Sequence, residues 1–65
     1  MKDLQFSLHE LRARNRLTQK EVAEQLGVSV QTYCAWEKDV SGVAVSKVRA
    51  VAELFGVSLE QIFLG

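Results

Sequence analysis

The segment from Gln19 to Lys38, QKEVAEQLGVSVQTYCAWEK, reads as two short helices separated by only three residues. Thr18 stands before the first, with Glu21 three positions on, the spacing of a capping box. Val22, Ala23 and Leu26 recur at helical spacing and then stop at Gly27. Glycine takes the left-handed conformation that ends a helix without steric cost. Ser29 is a good N-cap for a second helix that runs to about Lys38. A turn as short as Gly27-Val28-Ser29 makes the two helices cross steeply. Such a crossing needs a small residue where the backbones approach, which Ala23 supplies. It also needs apolar anchors, supplied by Val28, Tyr33 and Trp36.

The rest of the chain is helical by the same criteria. Leu4, Leu8 and Leu11 share a face, which predicts a first helix over about 4–15. Ser46 is placed to cap a fourth helix that buries Val48, Val51, Ala52 and Phe55. Gly56-Val57-Ser58 repeats the stop-and-start signal of Gly27-Val28-Ser29, with Ser58 capping a fifth helix that carries Leu59, Ile62 and Phe63. Between the third and fourth helices lies one sizeable loop, Asp39–Val45, with Gly42 in its middle. The expectation is an all-α domain of five helices covering residues 1–65.

Bulk properties narrow the function classes. At 65 residues, 48% apolar, the chain suits one small folded domain. A domain this size buries only about 60% of its unfolded surface, so its core has little to spare. The single cysteine, Cys34, and the single histidine, His9, provide neither a disulfide framework nor a metal cluster. His9 reads as a solvated side chain on a helix. Cys34 has only Lys38 as a basic neighbour within four positions and reads as an inert thiol. No phosphate loop or nucleophile elbow is present, so an enzyme, a cofactor and a metal are not expected. No apolar run reaches membrane-spanning length, and no signal peptide is visible, which predicts a cytoplasmic protein without a membrane partner. Net charge is zero, but Arg12, Arg14, Arg16 and Lys20 are grouped with no acid between them. A polarised neutral domain can still present a basic face.

The third helix shows an unusual outer side. With Tyr33 and Trp36 inward, Gln31 and Ala35 point almost opposite, flanked by Val30 and Cys34. A helix face exposed only to water more often carries Lys or Glu. Small uncharged groups suit close approach to something.

The combination of Leu11-Arg12, Leu17-Thr18-Gln19, Glu21-Val22-Ala23, Leu26-Gly27-Val28-Ser29, Trp36-Glu37 and Ala52-Glu53-Leu54-Phe55-Gly56-Val57-Ser58 resembles the phage repressor and Cro family of helix-turn-helix proteins, also called XRE-like. The resemblance covers nearly the whole chain. It implies a compact five-helix, repressor-like domain whose third helix enters the major groove of double-stranded DNA. Carried over by position, Val30, Gln31 and Ala35 match base-reading sites, with Thr32 and Cys34 beside them. Glutamine can pair bidentately with adenine, and Val30 and Ala35 suit thymine methyl groups. Gln19 matches a phosphate-binding position; Lys38, Lys20 and Arg14 are further phosphate candidates. In the family an arginine at position 12 pairs with the glutamate after the tryptophan, which gives Arg12–Glu37 as a structural tie. Two departures stand out. Asp39 follows where the family often has a glycine, and no proline precedes the fourth helix. The path of the Asp39–Val45 loop therefore does not follow from the resemblance.

The resemblance implies a transcriptional regulator of phage or bacterial type, a repressor acting at a palindromic operator with no small-molecule ligand. Two rival readings use the same fold: a protein-interaction module docking through the uncharged face, and an antitoxin that combines DNA with a protein partner. One recognition helix reads too few base pairs to single out a site, so a homodimer is expected, formed mainly on DNA. Ile62, Phe63 and Leu64 are consecutive and cannot all face one core, since helix neighbours lie 100° apart. These three are the expected dimer contacts, Phe63 or Leu64 foremost.

Overall fold

The computed structural model describes residues 5–62. Four α-helices follow one another: α1 (Leu8–Arg14), α2 (Gln19–Leu26), α3 (Val30–Lys38) and α4 (Val45–Phe55). A single 3-10 turn, Leu59–Gln61, closes the described chain.

Local chemistry sets most of these boundaries. Thr18 and Glu21 form a reciprocal capping box at the start of α2: Thr18 Oγ1 accepts from Glu21 N at 3.0 Å, and Thr18 N donates to Glu21 Oε1 at 2.8 Å. Ser7 and Glu10 make the same box at the start of α1, at 3.2 and 2.8 Å. Helix α1 therefore begins at Leu8, later than the leucine spacing predicts. Leu4 lies outside the described residues. Ser29 Oγ caps α3 by accepting from Thr32 N at 3.1 Å.

The helix ends share one device. Gly27 and Gly56 sit at φ 73° and 72°, and the residue after each reaches back five positions, Val28 N to Ala23 O and Val57 N to Ala52 O, both at 3.0 Å. This is the Schellman arrangement, which satisfies carbonyls the helix leaves open. Helix α1 ends the same way without a glycine. Arg16 takes φ 58°, and Leu17 N donates to Arg12 O at 3.2 Å.

Two expected elements differ. Ser46 does not cap α4; Ala44 holds that position and offers no side-chain hydrogen bond. The loop closes early, through Val43 N to Val40 O at 3.1 Å. The helix then begins at Val45, with Ala44 O accepting from Val48 N at 3.1 Å. The fifth helix is only the 3-10 turn. Beyond it Ile62 is extended (φ −91°, ψ 124°) and bridges Phe6 in parallel, with Phe6 N donating to Gln61 O at 2.7 Å. Pairing with Phe6 requires extended backbone, which ends any helix there.

The core gathers Leu8 and Leu11 from α1, Val22 and Ala23 from α2, Tyr33 from α3, Val48, Val51, Ala52 and Phe55 from α4, and Val40 and Ile62 from the connecting segments. Trp36 packs against its edge, with its ring 6.4 Å from Tyr33 in a T-shaped pair. Ile62 is 1% exposed. It is a core residue of its own chain and is not available as a dimer contact. Phe63 and Leu64 lie outside the described residues.

Candidate nucleic-acid interface

Helices α2 and α3 pack directly on each other across the Gly27–Ser29 turn. Ala23, on α2, is buried in the core at 2% exposure. Tyr33 is completely buried, which fixes the rotation of α3 about its axis. With Tyr33 inward, Val30, Gln31, Thr32, Ala35 and Lys38 are exposed and Cys34 is half-buried at the flank. Val30, at 36%, is one of the large apolar side chains left in solvent among the described residues. The Thr32 hydroxyl accepts from Ser29 Oγ at 2.9 Å. The outer face is thus uncharged from Val30 to Ala35 and ends at the cation Lys38.

Behind this face sits a polar cluster. Arg12 Nε donates to Glu37 Oε2 at 2.6 Å, and the two side chains are 18% and 9% exposed. Arg12 Nη1 also donates to Leu17 O at 3.1 Å, and its Nη2 lies 3.3 Å from His9 Nδ1. The second carboxylate oxygen, Glu37 Oε1, accepts from Gln19 Nε2 at 2.9 Å. One carboxylate on α3 therefore holds a side chain from α1 and another from α2. The Tyr33 hydroxyl is enclosed beside this cluster with no hydrogen-bond partner among the described residues. Burial, followed by the neighbouring Glu37 carboxylate, raises the pKa of that phenol well above its ordinary value.

Burial pushes the Glu37 carboxyl upward, but hydrogen bonds from Arg12 and Gln19 and the charge of Arg12 outweigh it and hold the pKa below the ordinary 4.5. A depressed carboxyl pKa contributes stability that is fully present above the unfolded value. That stability is lost as pH falls through the folded value. Melting temperatures taken from neutrality into acid should therefore fall below about pH 4.5 by more in the wild type than in Glu37→Gln. Parallel curves for the two proteins would show that Glu37 is no better held in the folded state than in the unfolded one.

The other cations are used differently. Arg14 is exposed, and its guanidinium stands 4.8 Å from the centre of the Phe6 ring, a cation–π contact. Lys20 is exposed on α2. The Glu37 link brings Gln19 to the C-terminal end of α3, where Lys38 is the adjacent residue. Sequence reasoning missed the Gln19–Glu37 bond, which spans 18 positions and two helices. The contact between His9 and Arg12 was open to it, since residues three apart on a helix are neighbours.

A helix-turn-helix family model matches residues 8–62. An uncharacterised HTH-type transcriptional regulator of Methanocaldococcus jannaschii is 42% identical over 53 residues, covering 82% of this chain and 80% of that protein. The cryptic phage CTXphi transcriptional repressor RstR of Vibrio cholerae is 33% identical over 55 residues, covering 85% of this chain and 50% of the repressor. No solved structure matches the chain. With α2 and α3 joined by a three-residue turn inside a match that spans most of its length, the chain belongs to the Cro/C1-type helix-turn-helix family.

Proposed function

We propose that this chain is a DNA-binding transcriptional regulator, a repressor, that reads double-stranded DNA with the outer face of α3. The observation that carries the reading is that face itself. Its exposed groups, Val30, Gln31, Thr32 and Ala35, are small or uncharged, and the helix is held from behind by Tyr33 and Glu37. A major groove admits an α-helix and presents acceptors, donors and methyl groups to such side chains. The two relatives support regulation as the role, and one of them is a phage repressor. Gln31 is the polar base reader, Val30 and Ala35 are the apolar ones, and Thr32 and Cys34 lie beside them. Gln19 and Lys38 contact phosphates at the far end of α3, with Lys20 and Arg14 as outer cations. Two copies bind a palindromic site, each half-site read by one α3.

Selection of bound sequences from a random duplex library tests this directly. A recovered two-fold site supports the reading; the absence of any enriched sequence removes it. On the recovered site Gln31→Ala should lose about 1–3 kcal/mol of preference while binding to random duplex is unchanged. Lys38→Ala should weaken all sequences alike and reduce the salt slope by about one. A Gln31→Ala variant with full preference for the same site would assign base reading elsewhere on α3. Absence of binding at low salt would favour a protein partner for this face.

A further inference from the structure

We propose that Glu37 is a positioning residue for DNA contact: its carboxylate fixes the orientation of the Gln19 side-chain amide so that the remaining amide hydrogen faces a phosphate. This rests on the DNA-binding reading above. A primary amide has two hydrogens to donate and an oxygen that accepts. Left alone on the surface, the Gln19 amide can present either end to DNA, and an oxygen turned toward a phosphate repels it. Glu37 removes that freedom. An ionised carboxylate only accepts, so the NH₂ end of Gln19 must face it, at 2.9 Å. One hydrogen is taken and the second is left for an acceptor outside the protein. Gln19 is half-buried, and its bond to Glu37 joins two part-buried side chains.

The cost of a carboxylate near the DNA backbone is met by Arg12, whose Nε lies 2.6 Å from the other oxygen. The pair is close to neutral as seen from a phosphate. Arg12 is itself anchored to the Leu17 carbonyl, just before α2. The cluster thus ties the phosphate-facing amide of α2 to the base-reading helix α3 as one rigid unit. Phosphate contacts set the register of a protein on the duplex, so this unit also aligns Gln31 with its base.

The sign of one substitution separates this role from simple electrostatics. Glu37→Gln deletes a negative charge, which by charge alone strengthens DNA binding. Positioning predicts the opposite, because the new amide no longer dictates which end of Gln19 turns outward. Wild type, Gln19→Ala, Glu37→Gln and the double variant are titrated with random-sequence duplex at low salt, at a temperature where circular dichroism shows each folded. Each single variant should bind about three- to tenfold more weakly, the size of one ordinary hydrogen bond. The double variant should be no weaker than Gln19→Ala. Tighter binding by Glu37→Gln, or a further loss on adding it to Gln19→Ala, overturns the proposal. If Glu37→Gln does not fold, the wild-type side-chain amide resonance of Gln19 decides. It should shift with the Glu37 carboxyl resonance as acid is added, and shift again with duplex. Failure of either shift overturns the proposal. Wild type that binds no duplex at low salt overturns the DNA reading as well, whereas tight wild-type binding with an additive cycle overturns this proposal alone.

Discussion

Arg12→Ala should melt at a far lower temperature than the wild type. Removing one partner of a buried ion pair costs about 3–5 kcal/mol, because the other charge is left without compensation. The pair here is largely sheltered, at 18% and 9% side-chain exposure, so the lower part of that range applies. Two further contacts are lost with the guanidinium. Leu17 O loses its donor from Nη1 and His9 Nδ1 loses its neighbour Nη2, while Glu37 keeps only Gln19. In a domain of this size each kcal/mol moves the melting temperature by roughly 4–8 °C. A drop of more than about 10 °C is therefore expected by circular dichroism. Arg12→Lys should recover only part of it, since an ammonium does not reproduce the fork that reaches Glu37 and Leu17 together. An unchanged melting temperature for Arg12→Ala would mean that the contact behaves as an exposed surface pair worth little.

Ile62→Ala should be comparably damaging, by about 2–5 kcal/mol. Ile62 is 1% exposed and lies where the end of the described chain meets its beginning. Truncating it removes buried methyl groups and opens a cavity that α1 and α4 cannot easily close. It also loosens the pairing in which Phe6 N donates to Gln61 O. The loss should be independent of protein concentration, because the contact is made within one chain. A melting temperature that falls only at concentrations where dimers form would place Ile62 between subunits instead. The loop before α4 leaves apolar surface exposed. Val45 at its end is 61% exposed and borders an apolar hollow lined by Val40, Val43, Val48 and Leu59.

By itself the sequence determined the elements whose boundaries depend on neighbours a few residues away. The Thr18–Glu21 box, the Ser29 cap, the left-handed Gly27 and Gly56 and the inward Tyr33 are all local or periodic signals, and each is found where that chemistry puts it. The Ser7–Glu10 box was equally legible and sets the true start of α1. The end of α1 was less so, because Arg16 takes a left-handed conformation that glycine usually marks. Tertiary structure decided the rest. Ser46 has the chemistry of a cap, yet the loop closes through Val40 and Val43 and starts α4 two positions too early for it. Ile62 follows a helix-like pattern, yet Phe6, 56 positions away, draws it into extended pairing. The exposed face of α3 was readable from spacing alone. The bond from Gln19 to Glu37 was not, since no periodicity links side chains on different helices. Their meeting depends on the crossing of α2 and α3, which exists only once Ala23 and Tyr33 are packed.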